Sequence, residues 1–127
     1  MNDLVVESSF VYRGIKCLVI FMPMGHRCGY VDLPEHIDTQ KLYGNFIGGN
    51  EITFADSICH GQEGNWIGFD HAHSFDGVDY ESLHKYNMYD PFTMYSDIRE
   101  GKKVTTQEEC QEECKELINE VLARYDN

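Results

Sequence analysis

The sequence predicts an α+β domain: an antiparallel β-sheet of about five strands with a C-terminal amphipathic helix packed on one face. Three observations carry this. Most of the chain is a series of short β-branched and aromatic runs separated by Gly, Pro and polar turns. Residues 105–125 switch to apolar positions three and four apart. The chain has 127 residues with 42% hydrophobic content, enough for one core, so residues 1–127 are expected to form a single domain.

The elements follow in order. Residues 8–13 and 15–22 read as two strands joined at Arg13-Gly14, and Pro23 closes the second. Residues 28–33 read as a third strand, closed by Pro34. Residues 35–50 are a looser segment ending in the turn Gly48-Gly49-Asn50. Residues 51–58 and 65–71 read as two more strands, separated by the polar loop His60-Gly61-Gln62-Glu63-Gly64. Residues 79–89 fit a short helix before Asp90-Pro91. The C-terminal helix is the clearest element. Thr106 and Glu109 have capping-box spacing, and Cys110, Cys114, Leu117, Ile118, Val121, Leu122 and Tyr125 form its apolar stripe. Its other face is rich in Glu.

Composition narrows the function classes. The net charge is −12, with 22 acidic residues against ten basic ones. Binding phosphates needs clustered Lys and Arg, so direct nucleic-acid binding and attachment to an anionic membrane are disfavoured. A partner that is itself basic fits, and so does plain solubility. No apolar run spans a bilayer, and the start Met-Asn-Asp-Leu-Val-Val-Glu lacks the basic end of a signal peptide, so a cytoplasmic protein is expected. The five cysteines have no CxxC spacing and cannot all pair within one chain. They read as buried apolar filler, with Cys110 and Cys114 reduced on the helix stripe.

Three polar clusters fall at strand ends or in loops, where sites are commonly built: Gly25-His26-Arg27-Cys28-Gly29-Tyr30, Cys59-His60-Gly61, and Asp70 to Asp76. If the last continues an extended strand, His71 and His73 project together and Asp70 points the other way. The candidate pocket is His26, Cys28, Tyr30, His60, Asp70, His73 and Asp76, converging if the strands are neighbours. A divalent metal (Zn, Mg or Mn) on His71, His73 and Asp70 is one reading, since His-x-His with a carboxylate is a ligand set. Metal-free acid–base work is another, with His73 oriented by Asp70 or Asp76 and Cys28 beside His26 and Arg27 as nucleophile. A third is structural: Asp70 and His73 tie down a loop, and Gly25, Gly29, Gly61 and Gly68 mark tight turns or close backbone approach.

The stretch Gly25-His26-Arg27-Cys28-Gly29-Tyr30-Val31, with Trp66-Ile67-Gly68-Phe69-Asp70, Ala72-His73 and Asp76, resembles a group of small phage and prophage proteins. Those have G-H-R-C-G-Y-V, then H-G-G-L-T-Y-S, then W-W-x-G-F-D-C-A-H-x-G-D, then a helix with an E-C pair. The likeness runs from Gly25 to the end of the chain. His26, Cys28, Asp70, His73 and Asp76 match position by position. The middle motif falls on Ile47-Gly48-Gly49, where His60 is the nearest replacement for its histidine, and His71 and Phe75 stand where the group has Cys and Gly.

The resemblance implies a small acidic phage-type accessory protein. The leading expectation is a host-interaction or counter-defence role, acting by binding a host protein with a basic surface or a small signalling ligand. The alternative is a metal-assisted hydrolase of a phosphorylated or nucleotide-like substrate, with the His, Asp and Cys pocket activating water. A structural phage accessory protein is the third.

Overall fold

A computed structural model of the chain describes residues 4–73, 76–88 and 102–125. Five strands form one antiparallel sheet: β1 (Val5–Tyr12), β2 (Ile15–Phe21), β3 (Arg27–Asp32), β6 (Phe54–Cys59) and β7 (Gln62–Asp70), in the order β1-β2-β3-β7-β6. A separate hairpin, β4 (Phe46–Ile47) with β5 (Asn50–Glu51), follows a single 3-10 turn at Thr39–Lys41. Two helices complete the described residues, α1 (Tyr80–Lys85) and α2 (Gln107–Tyr125). The α+β class and the helix on the sheet are as expected.

Period-two alternation explains the sheet's two faces. Ile15, Cys17 and Val19 of β2, Val31 of β3 and Ile67 and Phe69 of β7 pack with Cys110, Cys114, Leu117, Ile118, Val121 and Leu122 of α2. Leu18, Ile20, Cys28, Tyr30, Cys59 and Trp66 form a second cluster on the opposite face. Because β2 is covered on both faces it reads as a continuous apolar run rather than an alternating one. Gly29 belongs to the helix face: a Cβ there would stand 2.4 Å from the Phe69 ring and 2.9 Å from Cys114 Sγ, so only glycine lets α2 settle this close.

Helix α2 begins as its sequence requires. The Thr106 N–H donates to Glu109 Oε1 at 3.0 Å, and the Glu109 N–H donates to Thr106 Oγ1 at 3.1 Å. This reciprocal pair satisfies amides that the first helical turn leaves open. Helix α1 is capped by Asp79, whose carboxylate accepts from the Ser82 N–H at 3.0 Å.

Several boundaries differ from the sequence reading. The polar loop after Cys59 is only the two-residue turn His60-Gly61, with φ of +46° and +82°, and Gln62 already pairs with Cys59. The strand expected over residues 51–58 is two, since Ile52 and Thr53 leave the hairpin before β6 starts. Gly48 and Gly49, at φ of +63° and +87°, are the turn of the β4–β5 hairpin, and Asn50 is in its second strand. Of the short helix expected over residues 79–89, Tyr80–Lys85 is helical and Tyr89 lies outside the described residues.

Candidate functional site

Strands β3 and β7 are neighbours, so the first and third polar clusters adjoin. Cys28 lies opposite Asp70, and the His71 N–H donates to the Arg27 carbonyl at 2.9 Å. Their side chains nevertheless part to the two faces of the sheet, which divides the expected pocket in two.

Cys28, Tyr30, His60 and Asp70 gather on the face away from α2. The Tyr30 ring meets Phe54 and His60 edge-on at 5.2 and 5.3 Å, and it lies over Gly68, where a Cβ would stand 2.4 Å from the ring. Asp70 accepts from Thr53 Oγ1 at 2.8 Å and from the Ala72 N–H at 3.1 Å, the geometry of a carboxylate fixing the chain where a strand ends. Burial pushes the Cys28 thiol up to about 12, and Cys59 likewise to about 12. A thiolate nucleophile at Cys28 is therefore strongly disfavoured at neutral pH. His26 is buried at the β2–β3 connection, 6% exposed.

The helix side holds the other group. Here His71 Nε2 is 2.8 Å from Glu113 Oε1 of α2, and its Nδ1 is 3.9 Å from Asp76 Oδ1. Asp76 Oδ2 is 3.0 Å from His73 Nδ1 and also accepts from the His73 N–H at 3.0 Å. Glu113, His71, Asp76 and His73 thus form one chain, hydrogen-bonded at its two ends and joined by the 3.9 Å charge contact between His71 and Asp76. It lies along a cleft of about 800 Å³ between the β4–β5 hairpin, the exit of β7 and the N-terminal half of α2. Carboxylates line this cleft: Glu51 of β5, Asp76, and Glu108, Glu109, Glu112, Glu113 and Glu116 of α2. The one lysine among the described residues lining it is Lys103, paired with Glu109 at 2.9 Å. The Thr106 backbone and Lys103 hold Glu109 down to about 2, so it stays ionised. Asn50 donates to Glu113 at 2.8 Å, tying the hairpin to the same carboxylate that holds His71.

Burial disfavours the charged form of His71, but the Glu113 hydrogen bond and the charges of Glu113, Asp76 and Asp70 outweigh it and raise its pKa. A histidine whose folded pKa is raised adds stability that is complete below its unfolded value, about 6.5, and is lost as pH rises through the folded value. Urea denaturation of the protein and of His71→Gln should therefore show the parent's advantage complete below about pH 6.5 and shrinking as pH rises through the folded pKa of His71. A constant difference would mean that His71 titrates alike in the folded and unfolded chain.

Arg27, which the sequence reading took only as a neighbour of Cys28, has a structural role that the reading missed. It is buried, and its guanidinium takes Glu7 bidentately at 2.6 and 3.0 Å, Asp79 at 2.8 Å, Ser82 Oγ at 3.1 Å and the Thr105 carbonyl at 3.0 Å. Its planar fork also lies 4.9 Å from the Phe21 ring centroid. Burial acts against the cation, but the Glu7 and Asp79 bonds and charges prevail and raise its pKa further. Through this one side chain β1, β3, α1 and the lead into α2 are joined. The signal present in the sequence was a basic residue directly ahead of an apolar strand, which needs a carboxylate partner if the strand's start is buried.

The metal reading changes in its geometry. Asp70 does not join His71 and His73, because alternation turns it to the other face, and Asp76 occupies the place between them. Among the described residues no three His, Cys, Asp or Glu side chains are arranged to hold a metal ion. All five cysteines are buried free thiols. No described helix is long and apolar enough to cross a membrane. Comparison of the chain with protein-family models, curated proteins and solved structures finds no match.

Proposed function

We propose that this is a binding protein whose contact surface is the acidic cleft between α2 and the β4–β5 hairpin. The phage resemblance extends this to a host-interaction or counter-defence role. One observation carries the binding reading: among the described residues, seven carboxylates line one cleft together with a single lysine, which is already paired. Glu51, Glu108 and Glu116 have no ion-pair partner among the described residues, and Glu112 has only the half-buried Lys115 at 3.1 Å. Such a surface speeds encounter with a basic protein through long-range attraction.

The test is kinetic. Glu112→Lys combined with Glu116→Lys should slow association with a captured partner by about tenfold at low salt while changing dissociation much less. The difference should narrow as salt brings the Debye length to about 8 Å or below. An association rate that is equal for the parent and the double variant at both salt levels would overturn the cleft as the contact surface.

The chain Glu113–His71–Asp76–His73 supports a second reading, acid–base work within the cleft. Asp76 fixes the orientation of His73, as a carboxylate does for a general base. In a metal-assisted hydrolase, His73→Ala and a chelator should both abolish turnover of a nucleotide-like substrate. A binder keeps its partner under chelation.

A further inference from the structure

Resting on the binding reading above, we infer that the cleft's occupant is a peptide segment of a partner protein carrying arginine or lysine next to an apolar side chain, and not a small anionic ligand. Charge makes the first selection. Even with His71 and His73 both protonated, seven carboxylates face three cations among the described residues, His71, His73 and Lys103. A phosphate-bearing signalling molecule entering this space meets net repulsion, whereas a guanidinium or ammonium is attracted at every depth.

Shape and polarity make the second selection. Phe46 stands at the cleft with 70% of its surface exposed, although it sits in a hairpin whose next residue, Ile47, is fully buried. An aromatic ring held open on a rigid turn beside carboxylates offers both an apolar contact and a face for a cation. The turn is rigid for a visible reason. Gly48 packs against the α2 backbone, where a Cβ would stand 2.8 Å from Leu117 Cα, and its N–H donates to Glu120 at 2.7 Å. The hairpin and the helix are therefore fixed relative to each other, and the cleft is formed before anything binds. Its volume of about 800 Å³ holds several side chains, more than one ion needs.

An arginine would lay its planar fork on the carboxylates of Glu112 and Glu116, one turn apart on α2, while a neighbouring leucine-like side chain covers Phe46. A single unbound cation would engage the carboxylates without involving Phe46.

The probes are three synthetic peptides: arginines alternating with glycine around one central leucine, the same with the leucine changed to glycine, and the first with glutamates for arginines. Binding to the full chain is followed by backbone amide NMR shifts. The first peptide should perturb Phe46, Asn50, Glu112 and Glu116, and bind several-fold more tightly than the second. The glutamate peptide should leave the spectrum unchanged. Phe46→Ala should remove the advantage of the first peptide over the second, and Glu112→Lys with Glu116→Lys should weaken both by about tenfold or more. Phe46 is exposed, so its replacement leaves the core intact. Shifts spread over the whole acidic surface, or equal affinity of the first two peptides, would overturn the inference, as would binding of the glutamate peptide. If no peptide binds but a captured partner still responds to the Glu112 and Glu116 reversals, the peptide occupant is refuted and the binding reading stands. If neither responds, both fall.

Discussion

Replacing Arg27 by Met is expected to destabilise the fold by about 3–5 kcal/mol, the range for removing one partner of a buried ion pair. The cost comes from what remains rather than from what leaves. Glu7 has a side chain only 1% exposed, and without the guanidinium its carboxylate would be buried beside Asp79 with no cation between them. Tyr86 also donates its hydroxyl to Glu7, so one bond to that carboxylate would survive. Methionine fills most of the volume, which limits the cavity component of the loss. Urea denaturation measures the change. Adding Glu7→Gln to the Arg27→Met chain removes the uncompensated charge and should restore part of the loss, a coupling that a merely volumetric role would not produce. The substitution should also reach the cleft. Arg27 holds the Thr105 carbonyl just ahead of α2, and Thr105 lines the cleft, so amide exchange in the first turn of α2 should quicken.

Arg27 also marks the boundary of what residue order can reveal. Its partners lie 20, 52 and 78 positions away, and no local pattern announces them. Local features were legible. The Thr106–Glu109 capping box and the apolar stripe of α2 depend on neighbours a turn apart, and both stand in the structure. Polar strand ends were not. Gln62, Glu63 and Gly64 look like a loop because none of them is apolar, yet they belong to β7, where Gln62 and Glu63 pair with Cys59 and Ile58. The same limit applies to the site. His73 and Asp76, three residues apart, could be paired on the page, but Glu113 comes from α2, 42 residues beyond His71. Asp70 shows the reverse failure: it adjoins His71 in sequence and is separated from it by the pleat, so nearness in order suggested a ligand set that alternation divides.

Leu117→Ala should cost about 2–5 kcal/mol, and its consequences should extend from the core to the cleft. Leu117 is 1% exposed and packs in the cluster that joins α2 to the sheet and to Ile47 of the hairpin. It is also the point where Gly48 rests on the helix backbone. A methyl in place of the isobutyl group leaves a void bounded by β-sheet on one side and by the hairpin on the other. The sheet is braced by four antiparallel pairings, while the two-residue strands β4 and β5 have only each other. Relaxation should therefore draw on the hairpin, and amide exchange at Ile47 and Asn50 should rise more than at Val31 or Ile67. Leu117→Met, which nearly conserves volume, should cost less than about 1.5 kcal/mol and leave the hairpin protected. Because Phe46 and Asn50 carry one wall of the cleft, Leu117→Ala should weaken cleft binding without changing any cleft charge, a loss that added salt does not reproduce. A Leu117→Ala protein as stable as its parent would place α2 elsewhere than on this sheet. Unchanged hairpin exchange together with a large stability loss would show that the hairpin is held by Asn50–Glu113 and Gly48–Glu120 alone.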